Sequence, residues 1–187
     1  GGIAREQAGI IKTSIPVVSG VLEAEPRGVI QAVCQERGAD LWEPGARFLG
    51  SYRKLASLNG VLPRGPVLLT WDCLPSELRE IPFVLGLVGA HQAGNAAVAA
   101  ATLARLVQQG WSIPTAALAQ GLAQVRWPAR FELVRQRPAV VIDAAHNLAS
   151  AAALLETLES HTAPRRRWLM FATSRDKDPA GMLAILA

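Results

Sequence analysis

The sequence predicts an α/β fold. Short apolar runs alternate with helical patterns at 17–42 and again at 139–172, and an Ala-rich stretch at 91–109 reads as a long helix able to lie close against a sheet. Half of the 187 residues are hydrophobic and only 5% are aromatic. That composition supplies a core, excludes a disordered chain and favours helices packed on sheets over a β-sandwich.

The elements follow in order. Residues 3–11 read as a short helix carrying the polar trio Arg5, Glu6 and Gln7, and Pro16 stops it. Val17 and Val18 open a short strand that ends at Gly20. A helix is expected over 26–38, where Val29, Ile30 and Val33 recur at helical spacing, with Gly38 as its cap. Leu41 and Trp42 then begin a second strand. Between 45 and 88, Gly, Pro and Asn punctuate short apolar runs such as Val67–Trp71 and Phe83–Leu85, which fits strands with turns or a small hairpin extension.

Residues 91–109 form the clearest helix, since Ala has the highest helix propensity and Gly110 closes the pattern. A second helix is expected from Thr115 to Gln124, with Pro114 at its start. Trp127-Pro128 marks the expected domain boundary, giving units at 1–126 and 127–187. Beyond it, 131–134 and 139–143 read as strands, and the second is a continuous apolar run of the kind buried on both faces. A helix over 148–160, the basic loop, and a strand at 168–172 complete the pattern.

The net charge is +4, part of it from the run Arg165, Arg166 and Arg167. Three basic residues are too few to argue for nucleic acid. They suit a solvated loop or a modest field for anionic small molecules, such as nucleotides or polyglutamate tails. Cys34 and Cys73 are the only cysteines, without a CxxC or a neighbouring His cluster. Neither zinc nor a disulfide framework is supported, and a reducing cytoplasm is expected. No apolar run reaches the roughly 18 residues of a membrane span. The opening Gly1-Gly2-Ile3, with Arg5 and Glu6 behind it, lacks the pattern of a signal peptide. It also lacks Met, so residues are expected upstream.

Several constellations could carry chemistry. Asp143-Ala144-Ala145-His146-Asn147 sits between a strand and a helix, where open α/β sheets bind ligands. There Asp143 can accept bonds from ribose hydroxyls, and His146 can donate to an anionic oxygen beside free helix-start amides. The plain alternative is that Asp143 caps the helix and His146 is a surface residue. Arg130, at the domain junction, has a donor fork suited to phosphate, although an arginine before a strand is most often solvated. His91-Gln92-Ala93-Gly94-Asn95 opens the Ala-rich helix. Asn95 offers the donor and acceptor that an adenine edge requires, or it serves only as a helix-start residue. Ser174–Asp178 is a further polar loop, by default a charged turn.

Taken in this order, the segments 3–12, 87–97, 129–132, 142–150 and 171–178 resemble the folylpolyglutamate synthase/dihydrofolate synthase family of the Mur ligase superfamily. The resemblance implies the latter part of a central P-loop-type ATPase domain (1–126), followed by the first part of a Rossmann-like glutamate-ligase domain (127–187). It implies an ATP- and Mg²⁺-dependent ligase of folate biosynthesis and one-carbon metabolism. A carboxylate of dihydropteroate or a reduced folate is activated as an acyl phosphate, and the amino group of L-glutamate then forms the amide. By the same resemblance Asn95 contacts adenine, Arg130 the phosphates and Asp143 the ribose. His146 is the catalytic candidate, an orienting or charge-stabilising group beside the transferred phosphate or the incoming glutamate. The expected protein is cytoplasmic, monomeric when complete, and without nucleic-acid or membrane partners; no metal ligand is assigned in this chain.

Two departures bear on this reading. Gln7 stands where the family typically has a lysine that becomes carbamylated and helps organise magnesium, and a neutral amide cannot do so. No G-x-x-x-x-G-K-[ST] phosphate loop occurs, so the chain reads as an incomplete copy, inactive and poorly soluble in isolation. Two other readings stay open: another Mur-family amino-acid ligase, and a non-catalytic remnant that keeps the nucleotide crevice.

Overall fold

A computed structural model describes residues 2–52, 66–71, 82–161 and 166–187. Cys73 and Arg165 lie outside the described residues. The chain opens with helix α1 (Gly2–Ala8), strand β1 (Val17–Val18), helix α2 (Ala24–Glu36) and strand β2 (Leu41–Trp42). β1 and β2 pair in parallel, Val17 against Leu41 and Val18 against Trp42, which is the strand–helix–strand unit expected from the periodicity. Gly38, at φ 58, turns the chain out of α2, and the amide of Ala39 bonds the carbonyl of Cys34 at 2.9 Å. Ala8, Ile11 and Cys34 form a small core here, with Val29, Ile30 and Val33 of α2 packed around it. Burial raises the Cys34 thiol above its ordinary pKa, and Glu43 adds to the shift.

Strands β3 (Phe48–Tyr52), β4 (Pro66–Trp71) and β5 (Pro82–Val84) form an antiparallel sheet in the order β3-β4-β5. Helix α3 (Ala90–Gln108) lies against β3 and β4. Its Ala93, Ala96, Ala97, Ala100 and Ala101 are all buried, the i, i+3, i+4, i+7, i+8 stripe of one helical face. With only methyl groups on that stripe, the helix settles close to the sheet, and Trp42, Phe48, Phe83 and Leu85 complete the core. Helix α4 (Thr115–Gln124) covers β5 and adds Leu118 and Leu122 to the margin of this core.

The remaining chain forms β6 (Glu132–Gln136), β7 (Ala139–Ile142), α5 (Leu148–His161) and α6 (Pro179–Leu186). β6 and β7 are an antiparallel hairpin whose register shifts between Leu133 and Arg135. Helix α6, beyond the sequence expectations, lies on α5 and buries Met182.

Two expectations need correction here. β7 is not buried on both faces: Val140 is 40% and Ile142 46% exposed. Nor is 168–172 a strand; it runs without a ladder partner among the described residues, with Met170 98% exposed. An apolar run expresses a demand for burial, but only a neighbouring element can meet it, and a strand exists only where another edge accepts its hydrogen bonds.

Candidate functional site

The loop leaving β7 is organised by Asp143. Its Oδ2 accepts the amide of Phe131 at 2.8 Å, and its Oδ1 accepts the amide of Ala145 at 2.8 Å. The Ala144 amide bonds the carbonyl of Ala129 at 2.8 Å. One half-buried carboxylate thus ties the turn carrying Arg130 to the strand end, twelve positions on. Asp143 is not the cap of α5. That role falls to Asn147, whose Oδ1 accepts from the Ser150 amide at 2.8 Å while the Ser150 hydroxyl accepts from the Asn147 amide at 3.0 Å.

The Arg130 turn is strained. Ala129 has φ 57 and Phe131 φ 49, in the left-handed region that costs a non-glycine residue about 1–2 kcal/mol. Arg130 between them is half-buried, its guanidinium carbon 5.9 Å from the Trp127 ring. Because glycine enters this region freely, Ala129→Gly is expected to raise folding stability by about 0.5–1 kcal/mol. A thermal midpoint equal to or below the parent's contradicts the strain assignment.

The third component is the start of α3. Gly89 has φ 115, and a Cβ there would stand 2.7 Å from His91 Cε1 and 2.8 Å from the Thr157 hydroxyl of α5. The bare backbone at this position lets the helix start approach α5. His91 therefore faces the later segments. Desolvation lowers its pKa most; Asp143 raises it, Arg130 lowers it and Glu156 raises it. The charges of Arg130 and Asp143 thus both act on this one ring. Asn95 lies one helical turn beyond His91, on the same face. Its amide nitrogen donates to the Oε1 of buried Gln92 at 3.1 Å, which fixes the amide and leaves its carbonyl oxygen unused by that bond.

The structure ties the turn carrying Arg130 to Asp143 through backbone hydrogen bonds, and Gly89 sets the start of α3 against Thr157 of α5, with Asn95 one turn along α3 from His91. His146 is exposed on the loop between β7 and α5. Its Nδ1 is 3.1 Å from the carbonyl of Ala144 and its amide bonds the Ser150 hydroxyl at 3.0 Å. Gln7 is exposed on α1, and among the described residues no group of His, Cys, Asp and Glu is arranged to hold a metal ion. The 174–178 loop is a helix cap: Asp178 accepts the Gly181 amide at 2.9 Å. Beside it Asp176 pairs with Lys177 at 2.8 Å, and that bond, the Ser174 hydroxyl and the local backbone lower its pKa to about 2. In the sequence His91 is one member of the 91–95 motif with no role of its own, and Gly89, two positions before it, is the signal that marks its position.

The matches to known proteins give the class, an α/β protein with a Mur-ligase-type fold. Residues 129–186 match the family described as Mur ligase, glutamate ligase domain. The dihydrofolate synthase/folylpolyglutamate synthase of Bacillus subtilis is 31% identical over 97% of this chain and 40% of its own length. The folylpolyglutamate synthetase of Lactobacillus casei matches in structure with a TM-score of 0.70 and 31% identity, over 85% of this chain and 38% of that one. A structure of FPGS with AMPPCP and folate matches with a TM-score of 0.69 and 32% identity, over 84% of this chain and 36% of that one. Over nearly its whole length the chain is similar to the folylpolyglutamate synthase/dihydrofolate synthase family, and it spans about two fifths of the length of the B. subtilis relative. No helix among the described residues is long and apolar enough to cross a membrane.

Proposed function

We propose that the protein carrying this chain is an ATP-dependent ligase that adds L-glutamate to dihydropteroate or to reduced folates. In this reading the pteroate or folate carboxylate attacks the γ-phosphorus of ATP, the β–γ bridge breaks, and ADP leaves. The glutamate amine then displaces phosphate from the acyl phosphate, loses a proton and forms the amide. Residues 1–126 belong to the ATP-binding domain and 127–187 to the ligase domain. The nucleotide lies between them, with adenine at Asn95, ribose at Asp143 and phosphates at Arg130.

The observation that supports this most directly is the Asp143 carboxylate holding the turn that carries Arg130, with the α3 start that bears His91 and Asn95 set against α5 at Gly89. Arg130 suits phosphate because its fork stays charged and matches paired oxygens. Asp143 keeps acceptor capacity on both oxygens after taking one amide on each. Backbone amides at the start of α5 add to a field that favours anions, and His146 stands there as an orienting or charge-stabilising donor. The catalytic contribution of such groups is mainly positioning and charge neutralisation. Magnesium accompanies ATP in this reading without ligands from the described residues. The matching AMPPCP and folate complex is consistent with these substrates, and buried, free Cys34 with a cytoplasmic protein.

The test is ATP-dependent glutamate addition by the intact protein, with dihydropteroate and with tetrahydrofolate as acceptors. ADP release in step with amide formation is the expected result. No ADP release with either pteridine removes the folate assignment and favours another amino-acid ligase or a non-catalytic relative.

A further inference from the structure

The turn that presents Arg130 has a second support besides Asp143. Left-handed backbones at both Ala129 and Phe131 persist only where the surroundings hold them. The Ala129 amide is fixed on the Glu132 carboxylate at 2.9 Å, its carbonyl on the Ala144 amide at 2.8 Å, and the Phe131 amide on Asp143 at 2.8 Å. The side chain of Phe131 is buried at 4% exposure, whereas Trp127 on the same approach is 62% exposed. Its ring meets the imidazole of His161 with centroids 6.1 Å apart and planes at 54°, a tilted aromatic contact. His161 is itself buried near the end of α5, with Nδ1 2.7 Å from the Ser160 hydroxyl and 3.0 Å from the Thr157 carbonyl.

We propose that Phe131, seated on His161, is a positioning residue for Arg130, aiming the guanidinium at the phosphates of the bound nucleotide. The proposal rests on reading Arg130 as the phosphate ligand. Without the buried ring, Phe131 can relax to negative φ. That turns the peptide between residues 130 and 131 and swings the Arg130 Cα–Cβ direction away from the cleft. A displaced ligand loses affinity steeply, because the bond it makes depends on both distance and direction. The loss falls on the phosphate contacts and spares the adenine and ribose contacts.

The test is a double-mutant cycle in the intact protein, with ADP and adenosine binding measured by calorimetry. Phe131→Leu keeps an apolar side chain in the site and is expected to weaken ADP about tenfold, with adenosine changed less than about twofold. In an Arg130→Ala background the same substitution is expected to leave ADP affinity unchanged within about twofold. If Phe131→Leu does not fold, His161→Leu, which removes the support behind the ring, is expected to give the same ADP-selective loss.

Equal losses for ADP and adenosine, or a full further loss in the Arg130→Ala background, overturn the proposal and assign Phe131 a general structural role. Unchanged ADP binding in a folded Phe131→Leu variant also overturns it. A parent protein that binds neither ligand overturns the nucleotide reading itself, and this inference with it.

Discussion

Replacing Asp143 by alanine is expected to cost about 3 kcal/mol of folding stability, since hydrogen bonds to a charged group contribute about 1.5–3 kcal/mol each and this carboxylate makes two. One is the amide of Phe131, in a residue 4% exposed; the other is the amide of Ala145. The turn that these bonds hold is strained already, with Ala129 and Phe131 at positive φ. Denaturant unfolding of Asp143→Ala beside Glu156→Ala measures this. Glu156 carries the same charge but is exposed, so its removal is expected to stay within about 0.5 kcal/mol of the parent. An Asp143→Ala midpoint equal to the parent's contradicts the role given to this carboxylate. Under the proposed function nucleotide affinity is expected to fall as well, because there the same group aligns Arg130 and offers its remaining acceptor sites to the ribose.

Gly50→Ala is the second substitution with a large expected effect, a destabilisation of about 3 kcal/mol, at the upper end of what core overpacking costs. A Cβ at Gly50 would stand 2.7 Å from the carbonyl oxygen of Ala93 and 2.8 Å from the Cβ of Ala97. Neither neighbour can step aside, since one is helix backbone and the other a methyl fixed to it. The whole of α3 must therefore lift from the β3-β4-β5 sheet, opening the interface built by Trp42, Phe48 and the alanine stripe. The consequence reaches the site, because α3 carries His91 and Asn95. A thermal midpoint lowered by several degrees is the expected reading. A midpoint within one degree of the parent's, by contrast, contradicts the close seating of the helix.

Much of this architecture was legible because the periodicities are local. The alanine richness over 91–109 marked the existence of α3 and its fitness to lie close to a sheet, and Gly38 and Gly110 marked helix ends through the backbone freedom each supplies. The parallel pair β1-β2 followed from strand, helix and strand in succession. What was not legible depends on partners far away in sequence. The apolar run at 139–143 looks the same whether or not something covers it, and 168–172 has strand composition without a strand edge beside it. The elements of 45–88 were read only as strands with turns. Their antiparallel order rests on the pairing of Gly50 with Leu69 and of Val67 with Phe83, which no local pattern specifies.

The site divides along the same line. Residue types and their position at element ends drew attention to Asn95, Arg130, Asp143 and His146. The hydrogen bond from Phe131 to Asp143 and the contact of Phe131 with His161 could not be read from spacing. They depend on the β6–β7 hairpin returning the chain to its own beginning.

The most direct test is a crystal structure of the intact protein with ADP. The account predicts the adenine within about 3 Å of the Asn95 amide, the ribose hydroxyls at a similar distance from Asp143, and phosphate oxygens on the Arg130 guanidinium. A nucleotide bound elsewhere, with those three side chains facing solvent on separate surfaces, contradicts it.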